Sequence, residues 1–332
     1  MTGKRKLFTL LLAGIMVFLV AISAGCGQKQ SGSSSSELNY PTKPVNMIIA
    51  FTAGGSSDVQ ARLMQKYWDK LVDQPWVFQY KPGAGGAIGF AEIARAKPDG
   101  YTIGGVNVPH IVLQPLGQNA QYSIDDFEYI CQVVNDPQVL AVRKDSKFKS
   151  VKEVLDYAKE NPGKLKVGIV GTFTGHHLML LELQDKTGIK VTQVVYKGAA
   201  DQNAALLGGE IDVMIGNVND VMRSLEQMRI LAVASEERSK FLPDVPTFKE
   251  EGIDIVSDIR RGFVVPKGTD PRVVQFLRDT FKKIAEDPEY LKDMEKAGQP
   301  AEYMSGEEFE KYVREQNEKA RELLTKFGLL KS

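Results

Sequence analysis

The stretch that decides the fold is Val45-Asn-Met-Ile-Ile-Ala-Phe51, then Thr52-Ala-Gly-Gly-Ser56, then a run in which Val59, Leu63, Tyr67 and Leu71 recur every four residues. A short apolar run bounded by turn residues reads as a buried strand, and the four-residue recurrence as one apolar face of a helix. The small residues between form a loop with almost no side-chain bulk, and Ser57 or Asp58 can cap the helix. The plan then repeats, with Trp76 to Tyr80 as strand, Lys81 to Ala87 as loop and Ile88 to Ala96 as helix. The Pro98, Asp99, Gly100 turn feeds a third strand, Tyr101 to Val106. Strands alternating with helices define an α/β fold.

Further along the chain the grammar holds. Ser150 caps a helix from Val151 to Glu160 that Pro162 and Gly163 end. Lys166 to Val170 is a strand, Gly171 to Gly175 a loop, and His176 to Thr187 a helix. The next unit is the strand Val191 to Val195, the loop Tyr196 to Ala200 and the helix Asp201 to Leu207, stopped by Gly208 and Gly209. Ile230 to Ala234 is another strand, and the C-terminal third is mostly helical, ending in the charged amphipathic run Ser305 to Lys326. Two apolar segments, Val139 to Arg143 and Gly262 to Val265, are read as carrying the chain between two lobes. Two crossings make the first lobe discontinuous: residues 40–138 and 258–332 form lobe one and residues 139–257 lobe two. Strand ends and helix N-termini from both lobes then face a cleft between them.

The N-terminal residues are not fold material. Lys4, Arg5 and Lys6 precede an apolar run, Leu7 to Ile22, that meets Ser23, Ala24 and Gly25 directly before Cys26. The run is about 16 residues, short of the roughly 20 that a membrane-crossing helix needs. Residues 1–25 therefore read as an export signal, and small residues leading to a cysteine resemble a bacterial lipobox in which Cys26 is acylated. Residues 26–39 form a polar, Ser-rich tether. Its ten residues from Gln28 to Glu37 have an r.m.s. reach of about 18 Å.

Composition removes other classes. The 332 residues carry 42 Lys+Arg against 42 Asp+Glu, and loss of the three leader cations leaves 39 against 42. A nucleic-acid binder normally has a cationic excess, so none is expected. With 43% hydrophobic residues the chain fills two ordinary domains rather than staying disordered. Two cysteines build neither a disulfide framework nor a Cys-rich zinc site, and Cys131, inside the apolar stretch Phe127 to Val134, reads as a buried structural thiol.

Chemistry is concentrated in the glycine loops. In Thr52, Ala53, Gly54, Gly55, Ser56 and again in Gly83, Ala84, Gly85, Gly86, Ala87, backbone N–H groups can approach an anion closely, helped by the positive end of a helix dipole. Each hydrogen bond to a charged group contributes about 1.5 to 3 kcal/mol, so three or four approach the roughly 8 kcal/mol of micromolar affinity before ordering costs. Gly83, Gly85 and Gly89 miss the dinucleotide spacing by one residue, no phosphate-loop motif is present, and Asp58 replaces the last glycine of a nucleophile elbow at Ser56. No cofactor or metal is expected. His110, His176 and His177, the only histidines, read as exposed or capping residues.

Taken together, several motifs resemble the Bug family, the extracytoplasmic substrate-binding proteins of tripartite tricarboxylate transporters. They are Tyr40-Pro41 with Lys43-Pro44, the Ala-Gly-Gly loop before Asp58, Lys81-Pro82-Gly83-Ala84-Gly85-Gly86 with Ile88-Gly89, and Pro98-Asp99-Gly100-Tyr101-Thr102. Tyr196-Lys197-Gly198, Leu207-Gly208-Gly209-Glu210-Ile211-Asp212 and Val245-Pro246-Thr247 continue the match over the chain after the tether. The resemblance implies a two-lobed periplasmic-binding-protein type II (Venus flytrap) fold that closes on a small carboxylate, without catalysis. Carried over by position, the anchoring loops are Thr52, Ala53, Gly54, Gly55, Ser56, Ser57 and Asp58, with Gly83, Ala84, Gly85, Gly86 and Ala87. From lobe two come Thr172, Phe173, Thr174 and Gly175, with Lys197, Gly198 and Ala199. Asp58 is a cap or water-orienting residue in this scheme, since direct contact with an anion would be repulsive. Ala53 stands where the family usually has proline, which implies a less rigid first loop, and the His176-His177 pair is also a departure. Arg260 and Arg261 flank the second crossing, as cleft-lining residues or as hinge or surface ion pairs.

The expected function is a lipid-anchored solute receptor outside the cytoplasm that binds a di- or tricarboxylate and hands it to membrane-embedded transporter subunits. Two other classes fit the same features: a lipoprotein whose liganded form signals to a membrane sensor, and a secreted esterase built on Ser56.

Overall fold

The computed structural model describes residues 38–331. The leader, Cys26 and most of the tether lie outside the described residues. Strand β1 (Val45–Ile49) runs parallel to β2 (Trp76–Tyr80) on one side and to β3 (Thr102–Val108) on the other. Next comes β9 (Asp258–Pro266), antiparallel to both β3 and the long β4 (Phe127–Arg143). β10 (Ala301–Ser305) also pairs with β4. In the second half, β5 (Lys166–Val170) lies parallel to β6 (Thr192–Tyr196) and β7 (Val213–Asn217), while β7 and β8 (Met228–Val233) pair antiparallel with β4. The path β2-β1-β3-β9-β4-β7-β5-β6 is an α/β arrangement in two lobes, the first assembled from chain on both sides of the second.

The helices are α1 (Ser56–Trp68), α2 (Ala87–Ala94), α3 (His110–Gly117), α4 (Val151–Glu160), α5 (Gly175–Thr187), α6 (Ala199–Gly208), α7 (Val218–Met222), α8 (Pro271–Ala285), α9 (Pro288–Lys296) and α10 (Gly306–Lys326). Separate apolar clusters hold the lobes. One gathers Ile48, Phe90, Ile111, Tyr129, Val264 and Phe309; another gathers Leu140, Val154, Ile169, Leu180 and Phe248. Burying each such side chain contributes about 1.5 to 3 kcal/mol. Cys131 is fully buried and unpaired, and burial pushes its thiol pKa up, as fits a structural thiol.

Three local expectations need correction. The buried face of α1 is Ala61, Met64, Tyr67 and Trp68, whereas Leu71 lies beyond the helix and is 42% exposed. The aromatic side chains decide this rotation: Trp68 donates its indole N–H to the Gln74 carbonyl (2.7 Å) and packs on Trp76 and Phe281. Neither Ser57 nor Asp58 is the N-cap, a position that Gly55 occupies. Gly262–Val265 is not a crossing either, because these residues sit within β9, between β3 and β4. β4 changes partners between Pro137, opposite Asp258, and Gln138, opposite Asn217. There Gln138 N donates to Ser257 O (2.9 Å), so the two connecting segments run side by side. Ser150 does cap α4, accepting from Glu153 N.

Candidate binding cleft

Because β1, β3, β5, β6 and β7 are each followed by a helix, their C-terminal ends bring α1, α3, α5, α6 and α7 to one place between the lobes. A cavity there is lined from the first lobe by Phe51, Gly55, Ser56, Ser57, Asn107, His110, Ile259 and Arg261. The second lobe contributes Val170, His176, Ala199, Asn217 and Asp220. A water-sized sphere can place its centre over about 30 Å³ of it, room for about two waters.

The cleft is closed by contacts across it. The Ser56 hydroxyl donates to Asp220 Oδ1, and the Arg223 guanidinium donates to the Gly54 carbonyl. Gln299 Nε2 bridges Ser56 O and Asn219 Oδ1, 3.1 Å from each. Gln114 Nε2 reaches Gly85 O (3.2 Å), Thr172 O (2.8 Å) and Phe173 O (2.8 Å). The glycines at this seam permit close backbone approach: a Cβ on Gly171 would lie 2.6 Å from Gly85 Cα.

Not all of the expected residues reach the cavity. Gly55, Ser56, Ser57 and Ala199 line it. α1 starts at Ser56, so its first-turn N–H groups have no intrahelical partner and remain available to a ligand. Asp58 stands behind the loop: it accepts from Gly54 N (2.7 Å) and Tyr80 Oη (2.8 Å) and pairs with Arg62 (2.9 Å), fixing the loop's shape. Gly54 N–H is thereby engaged within the loop. Thr52 and Gly198 meet each other at the closing seam. The second loop, Gly83 to Ala87, packs with Thr172 and Phe173 through Gln114 and does not line the cavity. Gly175 and Thr174 start α5, the Thr174 hydroxyl donating to Val170 O (2.8 Å). The Phe173 ring packs edge-on against His177 (5.7 Å), and Ala53 and Lys197 are exposed outside the cavity.

The histidines are buried rather than exposed, and of the two readings only capping holds, for His176 and His177, which accept from backbone N–H groups. His110 and His176 are each 2% exposed and His177 9%. His176 Nδ1 accepts from Val170 N (3.3 Å) and His177 Nδ1 from Phe173 N (3.1 Å), so each shapes the β5–α5 loop as a neutral ring. His176 Nε2 then donates to Asn217 Oδ1 (2.7 Å). His110 packs edge-on against Phe51 (5.6 Å), and its Nδ1 has no partner. Burial lowers the pKa of all three. A depressed folded-state pKa gives stability that is complete above the unfolded value and is lost as pH falls through the folded one. We expect thermal melts to show falling stability on acidification below about pH 6.5, and replacement of His177 by Gln to flatten that slope.

Arg261, 3% exposed, contributes the cavity's cationic group, its Nη1 2.6 Å from Oδ2 of the fully buried Asp136. Asp136 also accepts from Asn219 N (3.2 Å), yet burial outweighs these partners and pushes its pKa up to about 6. Arg261 Nε has no partner. The bonded neighbours of Ser56 give no esterase geometry, since its hydroxyl faces a carboxylate and not an imidazole. Among the described residues, no group of three or more His, Cys, Asp or Glu could hold a metal ion, and no helix is long and apolar enough to cross a membrane.

Sequence reasoning missed Asn107, Asn217, Asp220 and Ile259. One legible signal was Asn217-Val-Asn-Asp220, a reciprocal capping box that fixes the carboxylate at the cavity wall.

The family described as "Tripartite tricarboxylate transporter family receptor" matches residues 60–329. The "UPF0065 protein in gbd 5'region" of Cupriavidus necator is 34% identical over 95% of this chain and 96% of its own. The solved structure of the periplasmic binding protein BugD is 31% identical, with TM-score 0.83 over 88% of this chain and all of the other. An R. palustris protein solved with adipate shares the fold at TM-score 0.82, covering 88% of this chain and 99% of its own, at 24% identity. The fold, the cleft and these matches agree: the chain belongs to the Bug-type receptor family of tripartite tricarboxylate transporters, extracytoplasmic solute-binding proteins and not enzymes.

Proposed function

We propose that this receptor captures a small organic carboxylate in the cleft and delivers it to a membrane transporter, held near the membrane by acylated Cys26. The observation that carries the reading is the pairing, in one closed cavity, of an Arg261 guanidinium with an unengaged Nε and the free first-turn N–H groups of α1. A guanidinium edge and a helix N-terminus both favour a carboxylate. Adipate in the R. palustris relative supports a dicarboxylate.

The cavity holds about two waters, so a ligand enters only after the lobes part. The hinge of that motion lies at residues 137–138 and 257–258, where the connecting segments are side by side. Lobe one is then residues 40–138 with 258–332, and lobe two residues 139–257.

A panel of mono-, di- and tricarboxylates is expected to give saturable calorimetric binding, a raised melting temperature and a smaller scattering radius on closure. At 100 times Kd the stabilisation should be about 2.7 kcal/mol. Absence of all three responses across the panel would refute the reading. Delivery is tested separately by uptake of the bound acid in cells lacking the transporter.

A further inference from the structure

Asp220 is the unexpected member of an anion-binding cleft. It is 1% exposed, lines the cavity and belongs to the second lobe. Its Oδ2 accepts from Asn217 N (3.1 Å) and its Oδ1 from the Ser56 hydroxyl. A carboxylate has about four acceptor positions, so capacity remains. Neutralisation is weak: the paired cation is Arg223, at 4.0 Å, and that side chain also serves the Gly54 carbonyl. The other charged group on the cavity wall, Arg261, is already met by Asp136. His110 and His176 are kept neutral by burial.

The wall therefore has two chemically opposite ends. Arg261 Nε and His110 Nδ1 lack partners, and both residues line the cavity. Asp220 offers only acceptors. Asp220, Arg261 and His176 line the same cavity, and the space they share is small. An acid placed with its carboxylate at Arg261 brings its neighbouring carbon close to Asp220. If that carbon carries a second ionised group, like charges meet out of water; if it carries only hydrogen, the carboxylate loses hydrogen bonding when the cleft dries.

We propose that Asp220 is a specificity-determining residue that demands a hydrogen-bond donor on the ligand, so that the receptor selects α-hydroxy or α-amino carboxylates over the same acids lacking that group. A hydroxyl or ammonium donates to Asp220 and takes up the contact that Ser56 makes across the closed cleft. The proposal rests on the carboxylate-receptor reading and refines it.

The test is calorimetry on matched pairs that differ only at the α position: malate and aspartate against succinate, 2-hydroxyglutarate and glutamate against glutarate, lactate against propionate. In the parent protein the donor-bearing member of the bound pair should be tighter by about 10- to 100-fold. Asp220→Asn keeps an acceptor for Asn217 N–H and presents an amide to the cavity. It should reduce that ratio by about tenfold or more. Ser56→Ala keeps the charge and should keep the preference. Melting of each unliganded variant shows that it folds; if Asp220→Asn does not, Asp220→Ser must give the same loss of preference. Equal binding within the pair by the parent protein, or an unchanged ratio in folded Asp220 variants, overturns this proposal while the carboxylate reading stands. If no acid in the set binds, this proposal falls, and the carboxylate reading falls with it only when the wider panel of mono-, di- and tricarboxylates also gives no response.

Discussion

Replacing Arg261 with methionine is expected to lower the melting temperature of the unliganded protein by about 10 °C at pH 7, the largest effect of any single change in the cleft. The replacement keeps most of the buried side-chain volume but leaves Asp136, fully buried, without its counterion at 2.6 Å. Breaking a buried pair in this way costs about 3 to 5 kcal/mol, and each kcal/mol shifts the melting temperature of a chain this size by roughly 2 to 4 °C. Partners on the far side do not compensate: Asp136 would keep only the Asn219 N–H, and the nearby Asp220 carboxylate acts against its ionisation.

The pH dependence separates this cause from simple loss of packing. Asp136 already has its pKa raised to about 6 with Arg261 present, and without the guanidinium it rises further. A raised folded-state pKa means that the group's contribution is complete below the unfolded value and is lost as pH rises through the folded one. The gap between variant and parent should therefore be widest above about pH 6.5 and close as Asp136 takes up a proton towards pH 4. Arg261 also lowers the pKa of His110 and His176, so its removal weakens their loss of stability on acidification and narrows the gap in the same direction. The Asp136 share is isolated by a double variant. Asp136→Asn in the same chain should recover most of the melting temperature at pH 7. A gap that is the same at pH 4 and pH 7 would assign the loss to packing and refute the ion-pair argument.

What could be read in the sequence divides along physical lines. β2, α4 and β5 were legible to the residue, because each is a continuous apolar or amphipathic run closed by a Pro, a Gly or a capping Ser. The first glycine loop was legible as part of the cleft, since small residues between a strand and a helix place backbone at the strand end. The buried face of α1 was not, because Trp68 and Tyr67 outweigh the spacing of Val59 and Leu63 through contacts with Phe281 and Tyr290 that lie far off in the chain. The cavity's charged wall was hidden for the same reason. Arg261 meets Asp136 across 125 positions and Ser56 meets Asp220 across 164, so neither pairing has a local signature. Exposure of the histidines, one of the two readings open to them, was excluded only once β5 and β7 enclosed them. A cavity wall expected from the sequence to be peptide groups alone thus carries a guanidinium and an acidic acceptor as well.

Gly198→Ala should weaken carboxylate binding by about 10- to 100-fold while leaving the melting temperature of the unliganded protein within a few degrees of the parent. Gly198 is the N-cap of α6 with φ −167° and ψ 166°, extended backbone that alanine adopts freely, so lobe two itself has no objection to the methyl group. The objection comes from the facing lobe and only when the cleft is shut. A Cβ at this position would overlap Thr52 Oγ1 and lie 3.0 Å from Thr52 Cβ and 3.1 Å from Thr52 N. Rotating the threonine side chain relieves the first contact but not the other two, because they belong to the β1–α1 loop that Asp58 holds in place. Overpacking of this kind costs about 1 to 3 kcal/mol, which falls on the closed state and therefore on affinity, at tenfold per 1.4 kcal/mol. The unliganded variant avoids it by opening at the hinge, so small-angle scattering should report the larger radius even with ligand at a concentration that closes the parent. Thr52→Gly removes both the hydroxyl and the Cβ that the new methyl meets and should restore closure in the double variant, Thr52 Oγ1 having no hydrogen-bond partner to lose. If Gly198→Ala binds and closes like the parent, the lobes do not meet at this seam when the receptor holds its ligand, and the closed cleft described above is not the state that carries the acid.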